Sequence, residues 1–316
     1  MNVLEKTKEN CIHCKRCTKN CDFLSKYDMD LSDFANRPDL RYSCFLCGKC
    51  KNVCPVDLDG REISLYMRRR DPKGLKSVKF MKNNYKLRNI GKAKTKDLIF
   101  LGCNYPGFLP KTCEAMIEIG NEHGADFSVD CCKRPTHDMG GEAPLEILEK
   151  TLRSQGVERI ICLCPNCYHF LNGKIYAEVI SVYEYLREIG VGKKIDETSN
   201  VFFPCSDRYS KEIFEDIKYF AKDYEEPFTS IGCCGLGGGA IKHEGDVVDI
   251  WKEKMNSLDK ENIYTYCSSC AGIFHNGYKR DNVKNFLTEI LGVEEEPSNE
   301  FAKNVIKFKF KKNKNK

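Results

Sequence analysis

The sequence predicts an α+β protein: a mainly helical N-terminal module followed by two pseudo-symmetric α/β lobes, with functional residues at the carboxyl ends of their strands. Three observations predict this. Two four-cysteine runs crowd the first part of the chain, and a five-cysteine motif occurs twice further on. Around each copy of that motif, short apolar runs alternate with segments of helical periodicity. The expected boundaries are a helical module at 1–67, a basic linker at 68–96, lobes at 97–199 and 200–296, and a basic tail at 297–316.

Composition narrows the chemistry before any motif is read. The chain has 316 residues, 41% of them apolar and 31% charged, and a net charge of +5. These values suit a soluble globular protein. No apolar run approaches the ~18 residues of a membrane span, and MNVLEKTKENC has no apolar signal-peptide core. A cytoplasmic protein is expected. Twenty cysteines in a reducing compartment point to metal binding or redox chemistry rather than to a disulfide framework.

The net charge conceals a patchwork. Residues 68–96 hold 12 Lys or Arg against one acid, Asp71, and residues 303–316 hold seven Lys and no acid. Residues 97–302 carry 21 basic and 35 acidic side chains, which argues against a nucleic-acid binder. The basic segments suit a solvated linker and tail, or docking to an acidic partner or an anionic membrane surface. The tail VIKFKFKK alternates apolar and basic residues and suits an edge strand or a surface anchor.

The N-terminal module is defined by Cys11, Cys14, Cys17 and Cys21, then Cys44, Cys47, Cys50 and Cys54, the last followed by Pro55. Two C-x2-C-x2-C-x3-C runs are the ligand pattern of a two-cluster [4Fe–4S] ferredoxin, in which the fourth cysteine of each run serves the other cluster. One cluster is therefore assigned to Cys11, Cys14, Cys17 and Cys54, the other to Cys44, Cys47, Cys50 and Cys21. Zinc sites ordinarily use separated cysteine pairs, not crowded quartets. Asp22 stands where proline commonly follows the fourth cysteine, and this changes no ligand. The 22 residues between the runs leave room for helix.

The remaining cysteines fall into register when the chain is compared with itself. Cys103, the pair Cys131–Cys132, Cys164 and Cys167 are matched by Cys205, the pair Cys233–Cys234, Cys267 and Cys270. Their surroundings match too. LIFLGC pairs with NVFFPC, FSVDCC with FTSIGCC, and RIICLC with NIYTYC, each read as a strand ending on cysteine. Helices are expected between them at KTCEAMIEIGNEHG and PLEILEKTLRSQG, and at SKEIFEDIKYFAKDY and DVVDIWKEKMNSL. Each copy thus reads strand–helix–strand–helix–strand with cysteines beyond the strand ends, where open α/β sheets place their ligands.

The duplicated C…CC…CxxC pattern resembles the cysteine-rich CCG family, whose hallmark it is in the catalytic subunit of heterodisulfide reductase. Iron–sulfur subunits of anaerobic glycerol-3-phosphate dehydrogenase, glycolate oxidase and lactate-utilisation systems are relatives, and the N-terminal module resembles the helical ferredoxin domains of such systems. The resemblance implies a noncubane [4Fe–4S] cluster on Cys103, Cys131, Cys132, Cys164 and Cys167, and a second on Cys205, Cys233, Cys234, Cys267 and Cys270. It further implies reduction of a disulfide or related sulfur substrate, with a flavoprotein or other electron donor as partner. The alternative it implies is a non-catalytic subunit linking a flavoprotein dehydrogenase to a quinone or other acceptor.

One departure separates the copies. Lys133 follows the first cysteine pair where Gly235 follows the second, which removes the freedom for positive φ. Its cation could tune a cluster, meet an anionic substrate or point to solvent. Gly235, Gly237 and Gly238 are expected to let the backbone fold against a cluster. The stretch Gly235–Ala240 also fits a dinucleotide loop, but the other copy lacks that fingerprint, so no flavin or nicotinamide is expected on this chain. His137, His169 and His275 lie close in sequence to the cluster loops and are candidate proton donors. Cys113 and Cys162 fall outside both motifs and read as core packing.

Overall fold

The computed structural model describes residues 1–83, 89 and 94–312. Residues 84–88 and 90–93 of the expected linker and 313–316 of the tail lie outside the described residues. The chain forms two compact units, and their composition cuts across the expected boundaries. The first comprises Met1–Met81, Pro135–Ala143 and Thr229–Leu258; the second comprises Lys82–Arg134, Pro144–Phe228 and Asp259–Lys316.

The first unit is helical, as the N-terminal sequence predicts. Helix Val3–Asn10 opens on a reciprocal capping box between Asn2 and Glu5, and Leu31–Ala35 on one between Asp30 and Asp33. The spacer between the cysteine runs also carries helix Asp22–Lys26. Phe23, Leu24, Leu31, Phe34, Ile63 and Met67 form the core, and Cys17 and Cys50 are buried in it. Helix Gly60–Arg70 runs through the expected start of the linker. Its Arg68 is fully buried and donates to the carbonyls of Arg41, Cys44, Asp138 and Gly238. A further helix follows at Leu75–Asn83.

The segments that follow the two cysteine pairs belong to this helical unit. Trp251, on helix Gly245–Asn256, donates to Asp22 at 2.7 Å and meets the Phe45 ring edge-on. Lys26 bridges Glu244 and Asp246, both at 2.7 Å. FTSIGCC is therefore not the strand the sequence suggests. Pro227 offers no N–H to a ladder, and from Thr229 the chain packs in the helical unit.

The second unit holds the sheets. Strands β1 (Asp97–Phe100), β2 (Asp126–Ser128), β3 (Arg159–Cys162) and β4 (Glu178–Ser181) form one parallel sheet in the order β2-β1-β3-β4. Leu98, Ile99, Ile160 and Ile161 are wholly buried in it, as expected for parallel strands covered on both faces. The later copy is shorter. Strands β5 (Ser199–Asn200) and β6 (Tyr224–Glu225) pair in parallel, as do β7 (Ile263–Thr265) and β8 (Val283–Asn285). One bridge, Val201 to Tyr264, joins the pairs, giving the order β6-β5-β7-β8. Each copy thus ends on a strand, β4 or β8, that the sequence does not suggest. Helices Pro110–Glu122 and Glu146–Gln155 occupy their expected places, whereas SKEIFEDIKYFAKDY is helical only over Glu212–Ile217.

The basic tail is neither edge strand nor frayed end over its described part. It forms helix Phe301–Lys309, in which Phe308 is buried, Phe301 packs at a tilt against Phe108 and Asn304 donates to the Gly107 carbonyl. Lys307 and Lys311 pair with Glu114. Helical period, not strand period, turns Phe301 and Phe308 to one side.

Candidate metal centres

In the first unit both cysteine runs take the same backbone path. Each turns through left-handed φ two and four residues after its first cysteine: His13 (52°) and Lys15 (56°) in one run, Leu46 (58°) and Gly48 (80°) in the other. Three of these four residues carry a Cβ and sit where such residues are disfavoured, which is how strain collects at functional loops. A small recess is lined by Cys11, Cys14, Cys17 and Cys54, together with Ile12, Lys15 and Asp30. Cys21, Cys44, Cys47 and Cys50 form a second group, in which the charges of Cys44 and Cys47 lie close enough to help push the Cys21 and Cys50 thiols up. Burial is the larger cause and pushes the Cys44 thiol up to about 11. A Cβ at Gly60 would lie 2.9 Å from the Cys50 sulfur.

The second unit brings the first five-cysteine motif together. Cys103 follows β1, Cys131 and Cys132 follow β2, and Cys164 follows β3 and caps helix Pro165–Leu171. The thiols of Cys103, Cys131, Cys132, Cys167 and Cys164 form a path in which each neighbour shifts the next one's pKa. From Cys164 the path continues to Cys267 and Cys270 of the second motif. Donating to the Cys131 sulfur, reinforced by burial, holds the Cys103 thiol well above its ordinary value, while accepting from Cys131 and Cys167 holds Cys132 well below. Gly102, at φ 69°, keeps the path open, since a Cβ there would stand 3.3 Å from the Cys167 sulfur.

The second motif is divided between the units. Cys233 and Cys234 belong to the first, Cys205, Cys267 and Cys270 to the second. Among the described residues, the buried hydroxyls of Ser206 and Ser268, each next to a motif cysteine, have no hydrogen-bond partner. The close neighbours of the glycines are protein atoms. A Cβ at Gly235 would meet Val248, one at Gly237 the Phe45 carbonyl oxygen at 2.8 Å, and one at Gly238 the Cys44 carbonyl oxygen at 3.0 Å. The loop thus packs on the second cysteine run, a use the sequence did not suggest.

Lys133 keeps the left-handed conformation its glycine counterpart has, with φ 69° against 94° for Gly235. Its ammonium donates to the Lys82 carbonyl at 3.1 Å, and Lys82 in turn places its own ammonium 3.3 Å from the Cys103 sulfur. Sequence spacing carries no hint of Lys82, because only tertiary packing brings it to this motif. The three histidines have protein partners. His137 meets Arg69 at 2.9 Å, and His169 meets the buried Asp207 at 2.7 Å. His275 donates to the Arg280 carbonyl at 3.2 Å. Cys113 and Cys162 are buried, and burial pushes both thiols well up.

The donor set fits iron–sulfur clusters. All twenty cysteines are free thiols, and the eighteen of the two runs and two motifs are grouped as soft sulfur donors of the kind such clusters take. The orphaned hydroxyls of Ser206 and Ser268, each beside a motif cysteine, fit the neighbourhood of an additional polar group.

Comparison with known proteins agrees. Residues 10–58 match the 4Fe-4S dicluster domain, and residues 202–275 match the cysteine-rich CCG domain. This chain is an iron–sulfur electron-transfer protein. The iron–sulfur chain is 23% identical to an uncharacterized iron–sulfur protein of Methanocaldococcus jannaschii, over 90% of this chain and 71% of that one. A similar protein of Methanococcus maripaludis is 24% identical over 88% and 68%. One subunit of the fumarate reductase (CoM/CoB) of Methanothermobacter marburgensis is 23% identical over 82% of this chain and 66% of its own length. Among the described residues, no helix is long and apolar enough to cross a membrane.

Proposed function

We propose that this protein is a heterodisulfide reductase-like oxidoreductase that takes electrons at two N-terminal [4Fe–4S] clusters and reduces a disulfide or related sulfur substrate at noncubane clusters in its duplicated motifs. Bound clusters of these kinds supply one-electron transfer. The quartets Cys11/Cys14/Cys17/Cys54 and Cys21/Cys44/Cys47/Cys50 hold the first two. Cys103, Cys131, Cys132, Cys164 and Cys167 hold the third, and Cys205, Cys233, Cys234, Cys267 and Cys270 the fourth. The reading includes a pseudo-twofold relation between the lobes. Its support is reciprocal packing: helix Pro110–Glu122 on Phe286–Leu291, and Glu212–Ile217 on Val182–Glu188.

The observation that carries the reading is the unbroken thiol path from Cys103 through Cys132 and Cys164 to Cys270. It joins the CxxC pairs of both motifs at the carboxyl ends of β3 and β7, where one disulfide could meet both. Reduction takes two electrons and two protons per disulfide and yields two thiols. His169, ordered by Asp207, is the proton donor we assign; His137, His275 and Lys133 are engaged elsewhere. Protein purified without oxygen should carry roughly 16 iron atoms, from four clusters of four, and should turn over a disulfide with reduced viologen. Half that iron, with zinc in the duplicated motifs, would remove the mechanism.

The fumarate reductase component among the relatives favours a second reading, a relay subunit serving a flavoprotein partner. Turnover that appears only with a co-purified flavoprotein would select it.

A further inference from the structure

We infer that Lys82 tunes the cluster site of the first motif, making it easier to reduce than it would otherwise be. The inference rests on the proposed assignment of a cluster to Cys103 and its partners. Lys82 lies in the last turn of helix Leu75–Asn83, in the basic stretch between the N-terminal module and β1. Its ammonium is 3.3 Å from the Cys103 sulfur. That position is held from behind, because Lys133 donates to the Lys82 backbone carbonyl at 3.1 Å. Lys133 in turn has the Asp130 carboxylate 4.0 Å away, and Asp130 also accepts from the Cys131 amide at 2.7 Å. The lysine that replaces glycine after the cysteine pair therefore anchors a second lysine at the sulfur.

A hydrogen bond and a fixed positive charge at a ligand sulfur both favour the reduced, more negative state. At this range, even with an effective dielectric constant of about 20, one charge is worth more than a tenfold change in an equilibrium. Lys82 is a positioning residue: it acts through Cys103 and touches no substrate.

The test is an anaerobic redox titration of the intact protein, followed by electron paramagnetic resonance, on wild type, K82M, K82R and K133Q. Lys82→Met should lower one midpoint by at least about 59 mV, the one-electron equivalent of tenfold, and leave the others in place. Lys82→Arg should restore most of it, and Lys133→Gln should give a partial shift. K76M, on the same helix, is the control. Unmoved midpoints in K82M at full iron content would overturn the inference, as would equal shifts in K82R or K76M. Wild-type protein with about half of roughly 16 irons would instead sink the cluster assignment itself.

Discussion

The two five-cysteine copies share a motif but not a setting. In the first, all five cysteines lie in one unit, at the ends of a continuous four-stranded sheet. In the second, the sheet is two strand pairs joined by one bridge, and the cysteine pair is packed in the helical unit instead. Prolines account for much of this. Pro204 and Pro227 offer no backbone donors just beyond β5 and β6, so both strands end early. The lesson is that duplicated ligands fix where a cluster's sulfurs come from, while the flanking residues decide which body holds them.

The comparison can be broken hardest at Arg68, the side chain bonded to both loops. Arg68→Met deletes donors to four backbone carbonyls, two of them in the segments after the cysteine pairs. Leaving buried acceptors unmet costs about 1–3 kcal/mol each, so thermal or denaturant unfolding should reveal a loss of several kcal/mol. Unchanged unfolding would mean the loops are held without it.

Next in size is the loss of one ligand set at a time. Cys132→Ser should lower bound iron by about four of roughly 16 atoms, and Cys234→Ser by the same amount. An iron assay showing that C132S also empties the second motif would mean that the copies fill as one site.

Exchanging the residue after each pair sharpens the contrast. Gly235→Lys places a Cβ at φ 94° and 3.0 Å from Val248, and should destabilise by about 1–3 kcal/mol. Lys133→Gly relieves left-handed strain of about 1–2 kcal/mol but gives up the bond to Lys82, so its melting temperature should move little. Equal and opposite shifts would show that only strain separates the two positions.

The smallest expected effect is electrostatic. Hydrogen bonding to Lys26 holds the Asp246 carboxyl below its usual range. A carboxyl lowered on folding stabilises above its unfolded value, near 3.9, and the contribution fades as pH falls through the folded value. Asp246→Asn should therefore cost under about 1 kcal/mol at neutral pH, and the difference from wild type should vanish in strong acid. Paired pH–denaturation curves would show it.

The parts legible in the sequence were those written in local spacing. The cysteine runs, β1, β3 and helices Pro110–Glu122 and Gly245–Asn256 follow from period and motif. What stayed hidden depends on contacts distant in sequence. Arg68 reads as one charge in a basic linker, although it is buried. Phe301 and Phe308 sit in a tail whose later residues alternate like a strand, and only the Phe108 ring and the Gly107 carbonyl reveal the helix they dock. Lys82 reads as solvent-facing until Cys103 is seen beside it. β4 and β8 carry no cysteine to mark them.

Gly237 has a consequence on an evolutionary scale. With the Phe45 carbonyl oxygen 2.8 Å from where a Cβ would stand, and Gly238 similarly close to Cys44, residues 44–46 and 237–238 cannot drift separately. A side chain gained on one stretch demands a backbone shift in the other, which carries ligands of its own. Lineages that diverge here must change both stretches together, so covariation between them should outlast similarity elsewhere in the chain.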